Sequence, residues 1–482
     1  TLCGGVVGPN RRFHIAKLVS EWLFHRCDHC GPRTQVQRPQ TLRATHTMAS
    51  SPPMDRALMN PLHDGAAADD SSTETQQKSA QRILRNFHVL AAAFSLNHGC
   101  VTALVALAAS ELGSSLGNTT LFILYAFYTL SAAFLSNGLV ARAGAKRTLV
   151  LSLGAYCVYV ASYAVAFFTP MNRIVIAGAA VGGVAAGCLW PAQGVFFARS
   201  AEAYADAVGI SQQAATALLG AHFSAAYLAG EVGMKLLASA FVPGGPLFVA
   251  YACIAVGATL AVQALVEDVP NVATAPPFAE SATAALRLFR RSALCRLLVP
   301  TNLAFGLAAA YLNGSFLNAV VSKNLGERAV GAVSAVVVAS AAMLALPLGR
   351  LGRALGTQRP VVALGGACFG LFAVATLIFS RETLGRWAPA VGLAVVFGAG
   401  RATWEGNFKS SVADDFHDAT TAAFANVTVQ SGLASTLGFF LNAHAPPRLV
   451  AIIVVACSVA AATAQAVAAK IRSEPRTTYA AT

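Results

Sequence analysis

The sequence predicts an all-α integral membrane protein, with twelve transmembrane helices arranged as two six-helix repeats. Three observations predict it. Of the 482 residues, 56% are hydrophobic and 11% charged, whereas a soluble domain carries about 25% charged residues. The apolar residues come in blocks of about 20, the length an α-helix needs to cross roughly 30 Å of hydrocarbon. They do not form the one-sided stripes of a soluble helix. Landmarks of the first half also recur in the second at one constant spacing.

Six apolar blocks lie near 87–109, 119–141, 148–168, 174–198, 212–240 and 247–266. Six more lie near 297–320, 330–348, 360–380, 388–411, 419–441 and 448–469. The expected organisation is therefore a polar N-terminal segment 1–86, a six-helix half 87–266, a linker 267–296, a second half 297–469 and a tail 470–482. Pro270, Pro276 and Pro277 punctuate the linker before an Arg-rich helical stretch with Arg287, Arg290, Arg291 and Arg296. Residues 1–47 are basic and poor in acids, the character of a transit leader. Translation starting at Met48 or Met54 is the plainer expectation. His25, Cys27, His29 and Cys30 are half of a zinc set without a second half, so no metal or other cofactor is expected.

Loop charge gives orientation. Basic residues concentrate on the side shared by the N-terminus, the linker and the tail, and basic loops face the cytosol. Both termini are expected there, in a plasma membrane or endomembrane. The net charge of +13 is thereby explained without nucleic acid. Most cysteines (Cys100, Cys157, Cys188, Cys253, Cys368, Cys457) fall inside apolar blocks, where Cys acts as a small core residue.

The repeat is read from two loops. After the second block stands Asn137-Gly-Leu139-Val-Ala141-Arg142-Ala-Gly144-Ala-Lys146-Arg147; after the eighth, Gly349-Arg-Leu351-Gly-Arg353-Ala-Leu-Gly356-Thr-Gln-Arg359. Leu139 matches Leu351, Gly144 matches Gly356 and Arg147 matches Arg359, all at an offset of 212. The same offset carries Gly154 to Gly366, and Gln193-Gly194 to Glu405-Gly406. Two parallel halves place any substrate site between them near the midplane.

The loop after the second block resembles the signature of the major facilitator superfamily. Leu139, Arg142, Gly144 and Lys146 fit its pattern, while Asn137 replaces a Gly and Ala141 the acid. The family's ion-pair gate therefore lacks its acid here. A narrower resemblance, to Unc-93-like proteins and their protist branch, is carried by Leu124-Tyr125, Phe134-Leu135-Ser136-Asn137, Tyr156, Ser162-Tyr163 and Gly187-Cys-Leu-Trp190-Pro-Ala-Gln193-Gly194. Gly398-Ala-Gly400-Arg401-Ala-Thr-Trp404-Glu405-Gly406-Asn407, Ala423-Phe424-Ala-Asn426 and Gln430-Ser-Gly432 extend it over roughly 85–470. That resemblance implies the superfamily fold and two roles: transport of a small solute or ion, linked to potassium, or escort and regulation of a partner membrane protein.

Polar residues at membrane depth cost at least about 2.5 kcal/mol when ionisable and normally face the protein interior. By this rule the substrate or gating candidates are Asn97, His98, Trp190, Gln193, His222, Glu231, Arg401, Trp404, Glu405, Asn407 and Gln430. Glu231 with Lys235, and Arg401 with Glu405, are spaced to pair along one helix face. Each candidate has a plainer reading: pairs that only neutralise themselves, a Lys235 that snorkels to the interface, histidines and tryptophans that only pack. Glycines 178, 182, 183 and 187 read as helix-packing positions. Asn118-Thr-Thr fits the glycosylation pattern but abuts a helix. No phosphate loop, paired carboxylates or nucleophile with a base is present, so an enzyme is not expected.

Overall fold

The computed structural model describes residues 70–169, 171–241, 244–269 and 278–473, and helices are the only regular elements among them. The first set comprises α1 (Asp70–Glu111), α2 (Ser114–Phe134), short α3 (Ser136–Ala143), α4 (Ala145–Phe168), α5 (Ile174–Val208), α6 (Gln212–Ala240) and α7 (Gly245–Leu265). Amphipathic α8 (Phe278–Arg291) precedes α9 (Leu298–Tyr311), which continues as a π-helical segment, Leu312–Ser322. Then come α10 (Glu327–Ala354), α11 (Arg359–Ile378), α12 (Trp387–Ala402) with a second π segment, Thr403–Phe408, α13 (Lys409–Asp415), α14 (Thr420–His444) and α15 (Pro447–Ser473). The 1–47 leader with its His/Cys cluster, the starts at Met48 and Met54, the three linker prolines and residues 474–482 lie outside the described residues.

Helix pairing repeats along the chain. In the first set α1 packs on α6, α2 on α5, α4 on α5, and α7 on both α4 and α1. In the second set α9 packs on α14, α10 on α12, α11 on α12, and α15 on both α11 and α9. Advancing each member of the first list to its counterpart 212 residues on generates the second list. Two large crossings between the sets, α2 with α14 and α6 with α10, exchange under the same operation, and α1 also packs on the π segment Leu312–Ser322.

Small residues make these approaches possible. A Cβ on Gly183 would stand 2.3 Å from the Leu124 carbonyl oxygen, and one on Gly331 would stand 2.5 Å from that of Lys235. No side chain fits at either place, so α5 meets α2, and α10 meets α6, backbone to backbone. Gly398 and Gly400 are equally crowded, but Gly406 faces open space and is not the packing position its neighbours suggest.

The outer faces carry exposed Leu130, Leu260, Leu346, Ile378, Ile452 and Val459, a continuous apolar coat that suits hydrocarbon and not water. Among the described residues eight helices are long and apolar enough to cross a membrane. The other four expected spans, 119–141, 212–240, 388–411 and 419–441, fall on α2, α6, α12 with its π segment, and α14. Their apolar runs are interrupted, as by Glu231 and Lys235 in α6 or Gln430 and Asn442 in α14. Residues from all four of these helices line the central cavity, and polar groups at membrane depth belong there.

Candidate functional site

The site begins with a stripe on α6. Phe223, Tyr227, Glu231 and Lys235 follow at intervals of four, which keeps them on one face of a helix with 3.6 residues per turn. Tyr227, Glu231 and Lys235 line a cavity of about 260 Å³ between the two helix sets. Facing them, α12 carries Arg401 in its last turn and widens into the π segment. Such segments are frequent at functional sites, and this one turns Trp404 and Glu405 inward.

The two intrahelical pairs expected from spacing form, and they join. Lys235 Nζ donates to Glu231 Oε1 at 2.7 Å. Arg401 Nη1 and Nη2 donate to Glu231 Oε1 and Oε2 at 3.1 and 2.9 Å, a bidentate bridge between the helix sets. Arg401 Nε donates to Glu405 Oε1 at 2.8 Å. Two carboxylates thus balance two cations, so the cluster can be enclosed without net charge. Lys235 is 8% exposed in its side chain and does not snorkel; Glu405, at 32%, is the open end of the chain of charges.

Trp404 is held on three sides. Its ring stacks on Phe305 at 3.8 Å and 7°, leaving the other face to the Lys409 ammonium, 4.8 Å from the centroid. Its Nε1 donates to Asn302 Oδ1 at 3.1 Å, and Asn302 Nδ2 donates to Gln430 Oε1 at 2.8 Å. Gln430 therefore holds the frame behind Trp404, with its own Nε2 lacking a partner among the described residues.

Beside the charged cluster the lining is aromatic. His98 is nearly enclosed by rings, with Trp190 and Tyr227 at 5.2 and 5.5 Å and Phe94 and Tyr156 both at 5.8 Å. Its Nδ1 is buried with no hydrogen-bond partner among the described residues. Tyr125, Tyr128 and Tyr156 line the same cavity. These tyrosines were not among the sequence candidates. The Tyr125/Tyr128 spacing of one turn and the four-residue stripe on α6 were the available signals.

Four candidates lie elsewhere. Asn97, fully buried, points to the other side of α1, where its Nδ2 donates to the Ala255 carbonyl at 3.0 Å and to Thr259 Oγ1 at 3.1 Å; it is a clamp from α1 to α7. His222 Nδ1 sits 3.0 Å from His88 Nε2, outside the cavity lining. Asn407 Nδ2 donates to Gln358 Oε1 at 2.7 Å and to the Leu348 carbonyl at 3.1 Å, tying the π segment to α10 and its loop. Gln193 is half-buried on α5 and also outside the cavity lining, so it does not share the place of Glu405, its repeat counterpart. Asn118 is fully buried and its Nδ2 donates to the Gly314 carbonyl at 3.1 Å, a position no glycan reaches.

The two signature loops share geometry but not ion pairing. Gly144 and Gly356 both take positive φ, 83° and 67°, which Gly alone adopts freely. Leu139 is half-buried, Leu351 is exposed, and Arg142 and Lys146 form no ion pair among the described residues. Buried Arg359 pairs with Asp415, which also accepts from Arg472 Nε at 2.8 Å. Arg147, its counterpart, is exposed and forms no ion pair among the described residues. Asp415→Asn is expected to lower stability by about 3 kcal/mol, since it strands a buried guanidinium. Arg147→Ala is expected to change it by less than about 0.5 kcal/mol. Thermal unfolding of the purified variants compares the two directly.

A helical bundle of repeated pairings around a central cavity that holds charged groups is the architecture of a membrane carrier. Residues 87–439 match the Major Facilitator Superfamily, and the chain belongs to that superfamily. No curated protein matches it. Among solved structures it is similar to a single-site mutant of the nucleoside transporter NupG. The identity is 13% and the TM-score 0.63, over 80% of this chain and 99% of that one. It is also similar to an auto-inhibited POT family peptide transporter, with 14% identity and a TM-score of 0.59, over 83% and 99% of the two chains. At such identities these likenesses show the fold alone.

Proposed function

We propose that the chain is a carrier of a small organic solute, working by alternating access between two six-helix repeats. On this reading it has twelve spans with cytosolic termini, and the Unc-93-like resemblance names its branch of the superfamily. The supporting observation is the cavity between the helix sets, bridged by the Glu231–Arg401 pair and lined by residues whose polar groups, such as His98 Nδ1, have no partner among the described residues. A bare cation such as potassium is disfavoured as cargo, because Glu231 and Glu405 are both already bound to cationic side chains. Proteoliposomes of the purified protein should accumulate solute above empty vesicles; no flux of any solute tested would refute the carrier.

Orientation has its own check. In sealed right-side-out vesicles an impermeant thiol reagent should label Leu325→Cys and spare Ala285→Cys; the reverse pattern inverts the topology. A second reading, a non-transporting escort or regulatory subunit, is favoured by Ala141 and the unpaired Arg147 in the first signature loop. An escort should recover a stoichiometric membrane partner on affinity purification, and a carrier should not.

A further inference from the structure

The cavity walls divide by chemistry. On one side the charged groups satisfy one another: Glu231 holds Lys235 and Arg401, and Arg401 spends its three nitrogens on Glu231 and Glu405. A ligand with net charge must break this neutral cluster or sit beside it unpaired. The polar atoms of the aromatic lining, by contrast, are unspent. Tyr125, Tyr128, Tyr156, Tyr227, Trp190 and His98 line the cavity, and their hydroxyls, indole N–H and imidazole form no hydrogen bonds among the described residues. Each is the polar tip of a flat apolar ring, and such tips usually find a partner when buried.

From this juxtaposition we infer that the cavity binds an uncharged, planar heterocycle, of the size of a nucleobase. The inference rests on the carrier reading and gives it a substrate class. Ring faces pack against Trp190, Tyr227 and Tyr156, while ring nitrogens and carbonyls pair with the tyrosine hydroxyls and His98. The volume of about 260 Å³ admits one or two fused rings with small substituents. A site built to hydrogen-bond a ligand edge rejects analogues that leave those groups unpaired. Benzene-like rings without heteroatoms are therefore excluded.

The test uses the full chain in lipid nanodiscs and calorimetric titration with adenine, uracil and nicotinamide, beside glucose, tryptophan and potassium chloride. At least one heterocycle should bind, and bind more tightly than every control. Tyr156→Phe and Tyr227→Phe, which keep the ring packing and remove only a hydroxyl, should each weaken that binding by about three- to tenfold. Binding of tryptophan or glucose alone, absence of heterocycle binding, or full affinity in both Phe variants overturns the substrate class. The same protein in proteoliposomes separates the two readings. Heterocycle binding without flux refutes the carrier and keeps the site; flux of another solute without heterocycle binding does the reverse.

Discussion

Glu231→Gln is expected to be the most damaging single substitution in the cavity. The carboxylate is 3% exposed and holds two cations at once, and an amide can match neither charge. Removing one member of a buried pair typically costs about 3–5 kcal/mol, because the remaining charge stays buried; here two are left. Monodisperse yield and unfolding temperature in detergent should both fall sharply. Glu405→Gln should do far less, about 1 kcal/mol, since Arg401 keeps both bonds to Glu231 and the Glu405 side chain is one-third exposed. It should still exceed the effect of changing the loop residue Arg386. The double change Arg401→Gln with Glu405→Gln leaves Glu231 paired with Lys235 and should retain assembly but abolish flux. An active double mutant would make the cluster purely structural, and a stable Glu231→Gln protein would show that the cluster does not hold the helix sets together.

Pinning the two sets together at their close-packed end should stop transport. There Phe122 meets Phe440 at 5.7 Å between ring centroids and Tyr125 meets Phe439 at 5.2 Å, near the Asn118 bond to Gly314. Phe122→Cys with Phe440→Cys, bridged by a short methanethiosulfonate linker, ties α2 to α14. If access alternates by separation of these helices, flux should drop more than about tenfold and return on reduction, since conformational steps gate turnover. Unchanged flux in fully cross-linked protein would mean that this end never opens. The pair lies away from the charged cluster, so each experiment can fail without the other.

Much of this architecture is legible in the sequence because its rules are local. Block length, basic loops and a 212-residue echo need no knowledge of contacts, and the intrahelical pairs Glu231–Lys235 and Arg401–Glu405 follow from helical spacing alone. The bridge from Arg401 to Glu231 spans 170 residues, and nothing in one sequence states that α6 and α12 confront each other. Depth was also read without direction. Asn97 and His98 are adjacent at the same height, yet about 100° of helical rotation sends one to a clamp against α7 and the other into the cavity. The four cavity tyrosines were overlooked because a search for ionisable groups passes over aromatic rings with a polar tip.

The placing of tryptophan gives this protein a built-in optical reporter. Only four occur in the chain, Trp22 outside the described residues and Trp387 half exposed among lipid-facing residues. The other two, Trp190 and Trp404, both line the cavity, one from each helix set. Trp404 carries the Lys409 ammonium over its ring, and a fixed charge there shifts the energy of the excited indole, whose electron density moves on absorption. Trp190 is instead packed edge-on against His98 and Tyr227. With Trp22 and Trp387 changed to Phe, the emission would be a two-colour signal from the cavity walls. One component would follow events near the cation and the other events among the rings, with no dye attached.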